Sequence, residues 1–394
     1  MDRKRVPGLD CGRAIAVVSV VAVHLSFQFP HLPHWANIVA RMGQYGVQLF
    51  FVISAVTIFM TLEADRARYA STGQIVLRFY VKRFFRIAPL YYAAIVGYGL
   101  MSWYTYTFQA DHASILGPHD TSDILLNLLF VHALSDSAIN NVVPGGWSIG
   151  VEMLFYLIAP LVFLFTYGSR ARLAALSVLL LLACATSLIT GACGGRLECS
   201  VQNNTFFYFW PPVQVPCFLV GFWCWNLFSP YLAGRAQLNR RGIAIALAIS
   251  IVCGAGTAIL GVWLGLAHEL APIAAACGAA ALLLACCSGA GRSLPARIAD
   301  ALGRESYGVY LWHFIFPFAA MYVFRDSTTL ATHGPWLSLA VFTLTVAASV
   351  TASYALSRVT DTLIQRAASE LARTLLRRID TRFSFAAAPA GSVE

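Results

Sequence analysis

Ten stretches of about 20 mostly apolar residues run through this chain, near 12–29, 44–62, 87–107, 147–167, 173–191, 207–228, 243–266, 270–289, 305–324 and 336–357. Each is long enough to cross the hydrocarbon core of a bilayer as a helix. Inside lipid a backbone must satisfy its own hydrogen bonds, which a helix does. The spacing therefore predicts an all-α polytopic membrane protein, a bundle of about ten transmembrane helices. Composition agrees: 58% of the 394 residues are hydrophobic and only 11% are charged, against about 25% charged in a typical soluble domain. The stretch TSDILLNLLFVHAL at 122–135 is too short to span and reads as an interfacial or re-entrant helix.

The net charge of +9 would suggest a nucleic-acid partner in a soluble protein. Laid on the spans it means something else. With ten spans and a cytoplasmic N-terminus, 23 of the 27 Lys and Arg fall on inner segments, while Arg41, Arg196 and Arg325 fall outside and Arg13 lies within the first span. The outer loop 108–146 has no Lys or Arg at all. This asymmetry follows the positive-inside rule and predicts both termini in the cytoplasm, in a cell inner membrane, with membrane lipid rather than nucleic acid as the surrounding partner. The basic start MDRKR resembles a signal peptide, but Arg13 interrupts the apolar run, so the segment is kept as a span. Residues 1–357 are expected to form the membrane domain and 358–394 a basic cytoplasmic tail. That tail reads either as an amphipathic helix on the inner leaflet or as a solvated end. Most of the ten cysteines sit inside spans as small apolar residues. Cys193 and Cys199, in the outer loop CGGRLEC, could pair in an oxidising compartment.

An ionisable group at the centre of a membrane helix costs about 2.5–3.5 kcal/mol on the insertion scale, so each one is a candidate for function. The first span carries Arg13 and His24, eleven residues and about 16 Å of rise apart, on one face. Asp10 can pair with Arg13. Snorkelling of Arg13 and a structural hydrogen bond from His24 to a neighbouring helix are the alternatives. Arg83 and Arg86, three apart, with Lys82 and Arg78 beside them, would put several cations at a membrane entrance, which suits a phosphate-bearing ligand or a simple anchor. Glu152 lies about one turn into the fourth span, with Ser148 and Tyr156 four residues to either side and Trp147 at the interface. In the ninth span Tyr307, Tyr310 and His313 follow a three-residue spacing, and Pro317 would kink the helix beyond them.

In this order, the segments LDCGRAIAVVSVVAVH, GVQLFFVISA, RFFR, PGGWSIGVEMLFYLIAP and LGRESYGVYLWHFIFP resemble those of the acyltransferase-3 family of integral membrane acyltransferases. The likeness runs from residue 9 to 317. It implies transfer of an acyl group, by default acetyl from acetyl-CoA, to a hydroxyl of a sugar or lipid-linked glycan acceptor. Functional residues carried over by position are Arg13, His24, Arg83, Arg86, Glu152 and His313. The chain departs from the family pattern at Cys11-Gly12, at Gln48, at Ser54-Ala55-Val56 and at Met153. Only 37 residues follow the tenth span, so no fused esterase-like domain is expected, and transfer would finish in the bundle or pass to another protein.

The expected catalytic set is His24, Glu152 and Arg13. His24 acts as general base, or as a transient acyl carrier. Arg83, Arg86 and Lys82 bind the phosphates of the donor, and Ser148, Trp147, Tyr156, His313 and Tyr310 line the acceptor site, with no metal involved. The acceptor is expected to be an O-antigen, capsule or exopolysaccharide, with peptidoglycan or a secondary-metabolite sugar as alternatives. A transporter or flippase for a lipid-linked or polar solute is the competing class. It would show related halves with broken helices in matching places, and no such repeat is visible.

Overall fold

The structure, a computed structural model, describes residues 6–108, 119–189, 206–263, 270–289, 294–324 and 334–387. Cys193 and Cys199 lie outside the described residues. Among those described, every regular element is a helix. The first group comprises α1 (Pro7–Ser26), α2 (His34–Met42), α3 (Gly46–Arg66), α4 (Thr72–Phe108), α5 (Thr121–Leu128), α6 (Trp147–Thr166) and α7 (Arg170–Ile189). There follow α8 (Phe206–Phe209), α9 (Pro211–Leu232), α10 (Arg240–Ala258), α11 (Ala271–Gly289), α12 (Leu294–Arg304), α13 (Ser306–Trp312) and α14 (Ile315–Phe324). The last two are α15 (Gly334–Thr360) and α16 (Arg366–Ala387).

By length and composition, eight helical segments among the described residues are fit to cross a membrane. They match eight of the ten apolar stretches. The stretch at 173–191 falls on α7, a 20-residue helix. The stretch at 305–324 is not one helix but two, α13 and α14, interrupted at His313 and Phe314. Pro317 explains the place of the break: its ring excludes the carbonyl of the residue four back, His313, from the helical ladder. That carbonyl accepts instead from Phe316 N at 3.0 Å.

Two elements run well past their apolar cores. α4 begins at Thr72, so the basic run before the third stretch forms the first turns of the same helix. The final helix continues from α15 through a wide turn at Asp361–Gln365 into α16. α16 lies along the start of α4, where Asp380 accepts from Gln74 Nε2 at 2.9 Å and from Arg78, and Gln365 Nε2 donates to the Phe85 carbonyl at 2.8 Å.

α3 is the hub. It packs on α1, α9 and α11, and 83% of its apolar window is buried, against 11% for α10. α10 leaves Ile245, Ile249, Ile251 and Val252 exposed, as a helix facing lipid must. Around α3 the core is aromatic: Phe218 stacks between Phe51 (4.6 Å) and Phe155 (4.0 Å), and Phe59 meets Phe222 at 4.1 Å. α1 meets α12 so closely that a Cβ on Gly303 would sit 1.8 Å from the Asp10 carbonyl oxygen. Only glycine permits that approach, and it fixes the start of α1 against the start of the ninth stretch.

The short helix expected at 122–135 forms as α5 followed by a 3-10 turn at His132–Leu134. A buried polar network folds this segment against α4 and α6. Asp123 accepts from Ser137 and Asn141, Tyr91 donates to Asn127 at 2.7 Å, and His132 Nε2 lies 3.0 Å from the Gly146 carbonyl.

Candidate active site

The basic ends of α1, α4 and α12 surround a vestibule of about 640 Å³. Beside it lies an inner cavity of about 70 Å³ between α1, α3, α4, α6 and α13. Arg13, Thr57, Arg83, Arg86 and Tyr307 line both spaces and form the wall between them. Tyr307 OH donates to the Ile87 carbonyl at 2.8 Å and ties α13 to α4 at this junction.

The cations at the junction are not equivalent. Arg13 pairs with Asp10 one turn earlier, as the three-residue spacing predicts. Lys82 lines the vestibule but is ion-paired to Asp65 of α3, and Arg78 is held by Asp380. Arg83 and Arg86 have no carboxylate within ion-pairing distance among the described residues. The buried Arg83 guanidinium instead lies over the rings of Tyr156 (5.2 Å) and Phe79 (5.6 Å). Two nearby arginines outside any ion pair, facing a cavity, form the strongest anion-binding feature of the site.

Glu152 lines the inner cavity. One of its carboxylate oxygens accepts from Tyr156, four residues on, and from Ser54 of α3. It does not meet an imidazole. Ser148, the other half of the expected stripe, turns to α13, with its hydroxyl 2.7 Å from that of Tyr310. Tyr310 OH donates to the Gly145 carbonyl at 2.9 Å. Gly145 has φ +75°, and a Cβ there would lie 2.8 Å from the Phe314 ring and 3.2 Å from the Tyr310 hydroxyl. The Gly-Gly pair before Trp147 therefore lets the chain fold tightly over the end of α13. Trp147 itself is packed into the core, stacked on Phe209 at 4.6 Å and edge-on to Phe51, and does not line the cavity.

His24 and His313 form a separate pair. His24 Nδ1 and His313 Nε2 are 3.0 Å apart, and His313 Nδ1 lies 2.5 Å from the Tyr310 carbonyl oxygen. Phe314 packs on both rings, each at 4.2 Å. Neither histidine lines the two described cavities. The pair sits at the break of the ninth stretch, one turn beyond the Tyr310 side chain that closes the inner cavity. Arg13 and His24 thus occupy opposite ends of one helical face, as their spacing predicts.

Ser54, noted in the sequence only as a departure from the family pattern, and Thr57, not singled out there, are the polar residues that α3 contributes to the cavity. The signal was present: both are hydroxyls within the apolar middle of α3, just after the GVQLFF motif. The sequence likewise marked Gln48 only as a departure and gave no sign of its buried partner Gln214, joined to it at 2.9 Å between α3 and α9.

Residues 6–358 match the model of a family described as an acyltransferase domain. The chain is 29% identical over 338 residues to "Putative peptidoglycan O-acetyltransferase YrhL" of Bacillus subtilis, covering 78% of this chain and 48% of that protein. It is 28% identical over 345 residues to "Peptidoglycan O-acetyltransferase OatA" of Listeria monocytogenes, covering 79% of this chain and 49% of that protein. The chain spans about half the length of these curated relatives. No solved structure gives a significant match.

Proposed function

Since the chain belongs to the membrane acyltransferase family matched by its residues 6–358, we propose that it is a multi-pass membrane O-acetyltransferase acting on a hydroxyl of a cell-envelope glycan. The observation that carries this reading is the vestibule and the adjoining cavity, with Arg83 and Arg86, neither held in an ion pair, in the wall they share. An acetyl thioester supplies an activated acyl group. Arg83 and Arg86 would hold the phosphates of its coenzyme A carrier, entering from the cytoplasmic side, and Arg13, already balanced by Asp10, borders the path inward. Lys82, paired with Asp65, would contribute less to the phosphates than the sequence expectation gave it.

A sugar hydroxyl is a poor nucleophile until its proton is removed. His24 accepts that proton, since a neutral imidazole is a competent base near neutral pH. Glu152, steadied by Ser54 and Tyr156, orients the reacting groups within the cavity. Tyr310 and Ser148 form its far wall, and the Tyr310 backbone carbonyl meets His313.

Two experiments test the assignment. Cells carrying His24→Ala at normal membrane levels lose glycan O-acetylation, and wild-type product would remove His24 from the chemistry. The Arg83→Ala, Arg86→Ala double variant loses acetyl-CoA binding, and unchanged binding would sink the donor site. Acetyl-CoA turnover by purified protein without a gradient separates this reading from a transporter. For the acceptor, the names of the two relatives favour peptidoglycan over O-antigen, capsule or exopolysaccharide. O-acetyl content measured separately in purified peptidoglycan and in surface polysaccharide, with and without the gene, decides between them.

A further inference from the structure

The hydrogen bonds around His24 and His313 define a one-way chain. The Tyr310 carbonyl oxygen can only accept, so His313 Nδ1, 2.5 Å away, carries the hydrogen. His313 is wholly buried and has no carboxylate partner among the described residues, so its ring is neutral. Its Nε2 then bears a lone pair. The nitrogen facing that lone pair at 3.0 Å is His24 Nδ1, which must therefore be the donor. A neutral His24 with its hydrogen on Nδ1 has an unprotonated Nε2. The Val20 carbonyl, one turn back on α1, is a second acceptor for the His24 ring, and His24 as a residue is only partly buried.

We infer that His313 is a positioning residue: it accepts from His24 Nδ1, fixes the tautomer of His24, and leaves Nε2 as the nitrogen that takes the acceptor's proton. The elements that build the chain are the ones the ninth stretch breaks to provide. Interruption of the helix before Pro317 places His313 between the last turn of α13 and α1, and Phe314 clamps both rings. Tyr310 serves twice, with its hydroxyl on the cavity wall and its carbonyl anchoring His313. An orienting acceptor on the back nitrogen of a catalytic imidazole is a general device, and a wrong tautomer in a Ser-His-Asp site lowers kcat by about 10⁴.

The inference rests on His24 being the base, and the experiment separates the two. Nitrogen NMR of ¹⁵N-histidine-labelled protein in membranes, with His24 assigned by its absence in His24→Ala, reads the tautomer directly. The expected wild-type spectrum has a protonated Nδ1 and a bare Nε2 for His24. In His313→Leu the Nε2–H form emerges and kcat falls roughly 100-fold or more, with the acetyl-CoA KM unchanged. In His313→Gln, whose amide oxygen can accept from Nδ1, turnover recovers to within about tenfold of wild type. A wild-type His24 in the Nε2–H form overturns the inference even if His24→Ala is inactive. So does His313→Leu with wild-type turnover, or His313→Gln as inactive as His313→Leu. Persistence of transfer in His24→Ala overturns the base assignment instead, whatever the spectrum. If His313→Leu fails to reach the membrane, the wild-type spectrum and the Gln variant still decide.

Discussion

Glu152 shows how a residue's spacing and its partners separate. The four-residue step to Tyr156 becomes a hydrogen bond because both lie on one face of α6. The equal step back to Ser148 does not, because Ser148 is drawn to Tyr310. The second donor to Glu152 comes from Ser54, on another helix. A hydrogen bond to a carboxylate contributes about 1.5–3 kcal/mol, and 1.4 kcal/mol is a factor of ten. Ser54→Ala should therefore lower kcat by roughly tenfold or more at unchanged membrane level, measured as acetyl transfer by purified protein. Gly145→Ala faces both a positive φ and contact with Phe314. Strain on the order of 1–3 kcal/mol should appear as a lower melting temperature together with lost activity, since Phe314 holds the histidine pair.

At the scale of elements, apolar length marked the cores of the helices and not their ends. α4 and the final helix extend beyond lipid-compatible sequence because their polar turns pack on each other, through Asp380 with Gln74 and Arg78. Nothing local in residues 366–387 announces which helix they dock against. Asp380 is 37% exposed, so the pair contributes about 1 kcal/mol or less. Asp380→Asn should leave activity near normal while raising hydrogen exchange across 366–387. The α5 segment carries a pH-sensitive contact outside the candidate spans. Burial pushes His132 down to about 4 from its ordinary 6.5. Above pH 6.5 the ring is neutral folded or unfolded, and the segment keeps its full stability. As pH falls from 6.5 toward 4 the unfolded form takes up the proton first, and stability is lost. The protection factor across residues 121–146, with the intrinsic exchange rate divided out, should fall between pH 7.5 and 5, and His132→Gln should flatten that dependence.

For the whole molecule, the distribution of cations leads to a proposed orientation: both termini cytoplasmic, with the vestibule opening to the donor's side. A C-terminal epitope tag should be reached by antibody only after the membrane that holds the protein is permeabilised, and labelling of intact, wall-stripped cells from outside would reverse the orientation. The helical class, the approximate positions of the membrane-crossing segments and five motif segments were legible in the sequence alone. Apolar length, charge asymmetry and motif order are properties of contiguous residues and survive without knowledge of packing. The meeting of His24 with His313, 289 residues on, of Ser54 with Glu152, 98 residues on, and of Arg78 with Asp380, 302 residues on, was decided only by the tertiary structure. Such contacts depend on how each helix is rotated and how closely it approaches its neighbour. A glycine against a backbone carbonyl at α1 and a proline break in the ninth stretch set that geometry, and it is the packing around them that gives those residues their meaning.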